Sequence, residues 1–181
     1  MRSLSQDAWL TAGFAALAER GVEGLRVEPL AERLGVTKGS FYHHFANRRA
    51  LHEAMLDAWE RRGSTEIIDD VDAAACTPVE RLRHLTHRAM RAEPTNDAIE
   101  NAIRVWAGTD DVAAAAIRRV DERRVECTTA LLRATGLSPA RARRRAQLLY
   151  RLLIGEFVWR GSGGPTATRA QIDEAVDLLL A

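Results

Sequence analysis

Apolar residues recur every three or four positions along almost the whole chain, and the two-residue alternation that marks strands is nearly absent. The first apolar stripe consists of Trp9, Leu10, Phe14 and Leu17. It predicts a helix that begins after a capping Ser5 or Asp7 and ends at Gly21, because glycine tolerates the backbone conformation just past a helix end. Gly13 lies inside this helix and is expected to weaken it by about 1 kcal/mol relative to alanine.

Two short helices are predicted next, over residues 27–34 and 37–44, and a long fourth helix over residues 47–62. Pro29 is compatible with the first turn of the second helix, where a backbone N–H has no partner in any case. Gly35 interrupts the pattern, and Thr37 is a suitable N-cap for the third helix. Asn47 is expected to cap the fourth helix, whose apolar residues are Leu51, Met55 and Trp59.

Longer amphipathic helices are predicted beyond Gly63. Their expected starts are Thr77–Pro78, the residue after Pro94, Asp110 and Ser138–Pro139, and a last helix carries Ile172, Ala175, Val176 and Leu179 on one face. A capping Ser or Thr followed by proline supports two of these starts, since proline fits the first helical position. The sequence therefore predicts an all-α protein with about nine helices.

The composition excludes several classes of protein. The 181 residues carry a formal net charge of +1, so any binding to nucleic acid must come from a local basic patch. Cys76 and Cys127 are too few for a disulfide framework, and a reducing cytoplasm is the expected location. The first residues lack the apolar run of a signal peptide, and the longest apolar stretch, residues 112–117, is much shorter than a membrane span of about 20 residues.

Little in the chain points to a metal centre or to catalysis. His84 and His87 are three residues apart and could bind a metal ion together with Cys76 or an acidic residue. Most such pairs bind no metal, and we expect neither a metal nor a cofactor. The sequence offers no pairing of a nucleophile with a base and no glycine-rich phosphate loop, so we do not expect an enzyme.

The most informative stretch is LAERLGVTKGSFYHHF, residues 30–45. It contains two short helices joined by a glycine turn, which can cross steeply while they share one core. Ala31 is small enough for a close approach, and the apolar contacts are expected from Leu30, Leu34, Val36, Phe41 and Phe45. The outer surface of the second helix is then left to Thr37, Lys38, Gly39, Ser40, Tyr42 and His43. Small groups there can approach base edges, and the hydrogen-bonding aromatic side chains can reach phosphates.

Residues 21–51, and above all Gly35 to Phe45 with Arg48 and Leu51, resemble the DNA-binding signature of the TetR family of transcriptional regulators. The turn, the capping residue, the aromatic residues and the following basic residue all fall in register. The resemblance covers about the first third of the chain. It implies a helix-turn-helix domain over residues 1–48 and a helical effector-binding and dimerisation domain over residues 49–181. The expected function is that of a homodimeric repressor that binds a pseudo-palindromic DNA operator and is released by a small-molecule effector.

The same resemblance implies individual roles. Lys38, Gly39 and Ser40 match positions that face bases. Thr37, Tyr42, His43 and His44 match positions that touch the DNA backbone or pack beside it, and Arg48 matches a basic residue that contacts a phosphate. Arg26 and Val27 depart from the family pattern, in which Ser or Thr often caps the second helix. Glu28 stands where some members have a basic base-reading residue; it could accept from a cytosine amino group or point to solvent.

Effector and dimer contacts are implied beyond about residue 65. Apolar and aromatic walls with a few polar groups suit a small-molecule cavity, and the candidates are Trp59, Leu85, His87, Met90, Ile103, Trp106 and Tyr150. A Met or Trp on an amphipathic helix is more often a core residue than a pocket residue, so these residues could instead belong to an ordinary core. The helix over 139–160 has a wider apolar face than one packing partner requires. It could pair with its two-fold mate, together with the last helix, through Leu149, Leu152, Leu153, Phe157, Ile172, Val176 and Leu179, or both helices could pack internally.

Two other classes of function stay open. An all-α enzyme or metal-binding protein with an incidental helix-turn-helix would show bound metal or turnover. A constitutive DNA-binding protein, whose C-terminal region only dimerises, would have no cavity.

Overall fold

The computed structural model describes residues 4–73 and 77–181. All regular structure in these residues is helical, which confirms the all-α prediction. The described α-helices are α1 (Gln6–Arg20), α2 (Val27–Arg33), α3 (Lys38–Tyr42), α4 (Arg48–Glu60), α5 (Glu66–Ala73), α6 (Pro78–Met90), α7 (Pro94–Trp106), α8 (Asp111–Ala134), α9 (Pro139–Gly161) and α10 (Arg169–Leu180). A 3-10 turn, Gly21–Gly24, follows α1, and a π turn, Arg61–Thr65, joins α4 to α5.

The predicted helices are all present, and α5 is an addition to them. The sequence predicts one helix over residues 47–62, whereas α4 ends at Glu60 and the chain continues through the π turn into α5. Gly63 lies inside that turn, and the helical backbone resumes beyond it in α5.

Side-chain caps fix several of the predicted helix starts. The Ser5 hydroxyl and the Asn47 side-chain oxygen each accept from the backbone N–H three residues later, at 3.4 and 3.0 Å. Thr77 forms a reciprocal capping box with Glu80. Thr37 and Ser138 occupy N-cap positions with extended backbone, but their side chains accept no hydrogen bond from the described N–H groups of their helices. Thr37 therefore occupies the predicted N-cap position of α3, although its side chain does not accept the capping hydrogen bond.

The described residues up to Glu60 form one compact unit with Pro94–Ile117. Its core contains the fully buried Trp9, Leu17, Leu25, Phe41 and Leu51. Helix α1 packs closely against α4 at Gly13, where a Cβ atom would lie 2.7 Å from Sδ of Met55. The glycine that weakens α1 as an isolated helix is therefore the residue that lets α4 approach it.

Arg61–Glu93 and Arg118–Ala181 form a second compact unit. Its core is built from the buried faces of α6, α8, α9 and α10. Polar contacts join α6 to α10: Arg83 pairs with Asp173 and Asp177, and Nε2 of His87 lies 2.8 Å from a carboxylate oxygen of Asp173. Arg160 on α9 donates to the backbone carbonyl of Met90 at 2.8 Å.

Candidate nucleic-acid interface

Helices α2 and α3 are joined by a tight turn that the glycine makes possible. Gly35 has a φ of +65°, a conformation that residues with a Cβ rarely adopt. The N–H groups of Gly35 and Val36 donate to the carbonyls of Glu32 and Ala31, both at 3.0 Å. Ala31 is buried at the crossing of the two helices. The short helix α3 therefore leaves α2 in a direction that the backbone itself fixes.

Aromatic residues anchor the inner face of α3. Phe41 is completely buried and meets the ring of Trp9 edge-on, with ring centroids 5.3 Å apart. Phe45 is also buried and lies 5.3 Å from Phe41. Edge-to-face pairs add to the stability that burial of the rings supplies. This cluster holds α3 against α1 and leaves its other face outward.

The outward face of α3 carries the side chains that the sequence assigns to DNA. Thr37, Lys38, Gly39, Tyr42 and His43 are exposed, and Ser40 and His44 are half-buried. Tyr42 has 53% of its surface exposed. Its ring also makes an edge-to-face contact with Phe41, which limits the movement of the exposed side chain. A Cβ atom at Gly39 would have the Thr37 hydroxyl as its nearest described neighbour, at 3.6 Å. Gly39 has no side chain, so another molecule could approach the backbone of α3 closely at this position.

Glu28 and Lys38 form an ion pair on the outside of the two helices. The Lys38 ammonium donates to a Glu28 carboxylate oxygen at 2.5 Å, and both side chains are more than half exposed. This hydrogen bond holds the pKa of the Glu28 carboxyl below its ordinary value and raises the pKa of Lys38. Glu28 thus faces the lysine of α3, an arrangement that neither of the two sequence-based alternatives included.

Arg48 begins α4 and is held at two points. Its Nη2 donates to the backbone carbonyl of Val22 at 3.3 Å, and its Nε donates to Nε2 of His52 at 3.2 Å. The side chain is exposed, so it can meet a phosphate while it stays attached to the domain. His52 was missed by the sequence reasoning, although its position one turn after Arg48 was a usable signal.

The second unit contains a cavity of about 80 Å³. Of the residues predicted to bind an effector, Leu85, Met90 and Tyr150 line it. His87 opens onto a different surface depression, and Trp59, Ile103 and Trp106 lie buried in the first unit. The hydroxyl of Tyr150 donates to Asp121 at 2.5 Å. The structure therefore brings only part of the predicted set together.

Several lining residues were missed by the sequence reasoning. Arg124, Cys127 and Thr128 share one face of α8, and that spacing could have revealed them. Gly63 and Ser64 come from the π turn, which has no sequence signature of its own. Nε of Arg124 donates to the carbonyl of Gly63 at 2.9 Å and so ties α8 to this turn.

Six of the seven predicted dimer residues lie in the core of the second unit. Those six are Leu149, Leu153, Phe157, Ile172, Val176 and Leu179, all at most 9% exposed. Leu152 is 53% exposed, and it lies on α9 with three other exposed apolar residues, Leu148, Val158 and Trp159. The assignment of the six buried residues to an interface is corrected accordingly, because a partner chain would meet the exposed set.

Two features are absent from the part of the chain that the structure describes. No group of three described His, Cys, Asp or Glu side chains is placed to hold a metal ion, and Cys76 of the suggested metal set lies outside the described residues. Among the described helices, none combines the length and the apolar character that a membrane span requires.

Three features of α2 and α3 define a helix-turn-helix domain of the DNA-binding type. They are the glycine turn between the two short helices, the aromatic anchor behind the second helix, and the small, polar outer face of that helix. Residues 10–55 match the family model for bacterial regulatory proteins of the tetR family. Of the curated relatives, the class A tetracycline repressor from transposon 1721 of Escherichia coli is 38% identical over 72 residues, which are 40% of this chain and 33% of the repressor. The chain thus aligns with about a third of that repressor's length.

Other similarities extend over the whole chain. The HTH-type transcriptional regulator BetI of Burkholderia ambifaria is 27% identical over 195 aligned positions, which cover 100% of this chain and 96% of that protein. A solved structure from Rhodococcus sp., assigned to the TetR-family transcriptional regulators, superimposes with a TM-score of 0.76 at 26% identity and covers 97% of this chain and 98% of its own. Residues 10–55 thus carry the N-terminal DNA-binding domain of the TetR family, and over its whole length the chain is similar to transcriptional regulators of that family.

Proposed function

We propose that this protein is a homodimeric repressor, which binds a pseudo-palindromic operator and leaves it when a small molecule occupies the second unit. The observation that carries the proposal is the outer face of α3, where small and hydrogen-bonding residues stand exposed on a buried aromatic anchor. We retain residues 1–48 as the DNA-binding domain and residues 49–181 as the effector and dimer domain. The protein would act in the cytoplasm and would not be an enzyme.

The outward residues divide into two groups by what they can reach. Lys38, Gly39 and Ser40 stand at the start of α3, where they can approach base edges in the major groove. The larger groups further along would position the domain on the DNA backbone, because contacts to phosphates carry no sequence information themselves. This second group consists of Thr37, Tyr42, His43, His44 and Arg48.

The cavity of the second unit is the proposed effector site. Its walls come mainly from apolar side chains of α6 and α9, and Arg124 and Tyr150 add polar groups. The volume of about 80 Å³ is roughly half that of a cavity known to hold benzene. We infer that the effector is a compact, largely apolar molecule, or that its entry widens the site. A ligand of this kind releases DNA only if it binds the non-binding conformation more tightly.

The exposed apolar residues of α9 are the proposed dimer face. Leu148, Leu152 and Trp159 recur at helical spacing, and each is more than half exposed. Leu178 of α10 is also exposed, at 71%. Large apolar side chains that recur along one exposed helix face are typical of a surface that a partner covers.

The DNA-binding part of the proposal is tested by anisotropy with labelled DNA from upstream of the protein's own gene, at several salt concentrations. We expect salt-dependent binding that Tyr42→Ala and Arg48→Ala both weaken, and the salt slope of Arg48→Ala should fall by about one. Arg49→Ala is the matched control, because Arg49 is the adjacent exposed arginine and pairs with Glu53 at 3.0 Å.

Three outcomes would count against this proposal. If Arg49→Ala weakens binding as much as Arg48→Ala, the effect is one of net charge and Arg48 has no special contact. If upstream DNA and a genome-wide selection of fragments both yield no specific site, the operator function is wrong. If the footprint is a single asymmetric half-site bound by one chain, the dimer part fails.

A further inference from the structure

The side chain of His52 connects the proposed phosphate contact to the interior of the first unit. Its Nε2 accepts the hydrogen bond from Nε of Arg48, at 3.2 Å, while the Arg48 guanidinium also donates to the Val22 carbonyl at 3.3 Å. A long exposed side chain normally samples many conformations and loses that freedom when it binds. Arg48 is held by these two bonds before any DNA arrives.

His52 is itself fixed on both sides. Its half-buried ring meets the indole of Trp106 on α7 edge-on, with centroids 4.9 Å apart and planes at 80°. A backbone hydrogen bond with Leu25 occupies the ring as well. Because that bond goes to a carbonyl, one ring nitrogen donates to Leu25 and the other accepts from Arg48. Only the neutral ring can do both, since a protonated imidazole has two N–H donors and no acceptor.

The surroundings of the ring favour its neutral form. Burial lowers the pKa of His52 most, and the neighbouring charges of Arg48 and Arg49 lower it further. Asp110 and the Leu25 carbonyl raise the pKa, each by less than burial or Arg48 lowers it. The pKa of His52 in the folded protein therefore lies below that of a free histidine. At a pH above the free histidine's pKa, the ring is neutral and makes both hydrogen bonds. This arrangement is lost as the pH falls through the lowered pKa.

We propose that His52 is a positioning residue for DNA binding, whose neutral ring holds Arg48 in place for a phosphate and whose protonation releases it. The proposal rests on the phosphate contact assigned to Arg48 above. It gives the regulator a dependence on mild acid in addition to its dependence on an effector. It also links the contact to α7, because Trp106 fixes the ring that holds Arg48.

The test measures operator affinity from pH 8 down to the lowest pH at which thermal unfolding shows a folded protein, at constant ionic strength. The variants are His52→Ala, His52→Gln, Arg48→Ala and the two double variants. Glutamine retains one acceptor and one donor and does not titrate, so His52→Gln should bind within about twofold of wild type at pH 8. We expect His52→Ala to bind about 3- to 10-fold more weakly at pH 8, the scale of one lost hydrogen bond.

The pH profile separates positioning from a structural role. As the pH falls, wild type should lose about 3- to 10-fold in affinity relative to His52→Gln. The quantity to compare is the ratio of the two affinities at each pH, because any other effect of pH that both proteins share cancels in it. In the Arg48→Ala background, His52→Gln and His52→Ala should have no further effect, and thermal unfolding shows whether each variant is folded.

The outcomes distinguish this proposal from the function on which it rests. If Arg48→Ala binds as wild type does, the phosphate contact is wrong and the positioning role falls with it. If Arg48→Ala weakens binding but His52→Ala weakens it equally again in that background, His52 acts through the fold and the proposal is overturned. A constant ratio of wild-type to His52→Gln affinity across the pH range overturns it as well.

Discussion

Replacing Gly13 by alanine sets two calculable effects against each other. Alanine is favoured over glycine inside a helix by about 1 kcal/mol. In this structure, however, the new Cβ atom would lie 2.7 Å from Sδ and 3.2 Å from Cε of Met55. Met55 is 1% exposed, so the side chain has to change rotamer inside a close-packed core. The substitution therefore tests whether packing or helix propensity dominates at the contact of α1 with α4.

The cost of the clash with Met55 should exceed the gain in helix propensity. Insertion of a methyl group into a well-packed core costs about 1–3 kcal/mol, and here the atom that must move is Sδ, in the middle of the side chain and not at its end. With a packing cost of about 2 kcal/mol against a gain of about 1 kcal/mol, Gly13→Ala should lower the free energy of unfolding by about 1 kcal/mol. Urea unfolding followed by circular dichroism, at one fixed protein concentration, measures this difference.

A double variant gives the decisive comparison. Met55→Ala alone should cost about 2–5 kcal/mol because it leaves a cavity. In that background Gly13→Ala keeps its helical gain without the clash and should stabilise the protein by up to about 1 kcal/mol. Gly24→Ala is the control, since its Cβ would lie 2.7 Å from the backbone oxygen of Ala16, and Met55→Ala provides no relief there. If Gly13→Ala alone stabilises the protein, or costs the same in both backgrounds, the close-approach argument is refuted.

Three further predictions follow from exposed or capping groups. Glu28→Gln should change the preferred base at one operator position without changing thermal unfolding, as selection from randomised half-sites would reveal; unchanged preferences would mean that the pair with Lys38 does not read DNA. Leu152→Glu should convert dimer to monomer in sedimentation experiments, because the residue is 53% exposed and its change leaves the protomer core intact; an unchanged dimer would place the interface elsewhere. Thr77→Ala removes a capping box and should cost about 1 kcal/mol in urea unfolding; a cost near zero would show that α6 does not need its cap.

The helix-turn-helix domain could be predicted from the sequence because its determinants are local. A glycine with positive φ, a small residue at the helix crossing and aromatic residues at helical spacing lie within residues 30–45. The glycine and the small residue restrict the backbone locally, and Phe41 and Phe45 contact each other within the same stretch, although Trp9 of α1 completes their cluster. Thr37 does stand at the N-cap of α3, but its side chain makes no capping hydrogen bond. Residue type alone indicates which side chain is able to cap a helix, not whether the bond forms.

The effector and dimer residues were harder to predict because helical periodicity identifies a face but not its neighbour. Leu149 and Leu152 both belong to the broad apolar face of α9, yet one is 6% exposed and the other 53%. Trp106 was a candidate for the cavity, although a Trp on an amphipathic helix is more often a core residue, and it lies buried in the first unit. Only the tertiary packing of the helices separates these alternatives.

The broad apolar face of α9 consists of two parts, one that lines the cavity and one that is exposed. Leu149, Leu153 and Phe157 line the cavity of the second unit, and Leu148 and Leu152 stand exposed on the neighbouring side of the same helix. A close-packed helix responds to a new contact as a body, because its interior has little free volume to absorb the change. A ligand that enters the proposed effector site would therefore act directly on the helix that carries the proposed dimer face. The excess width of the apolar face, which the sequence shows, is what a helix with both tasks requires.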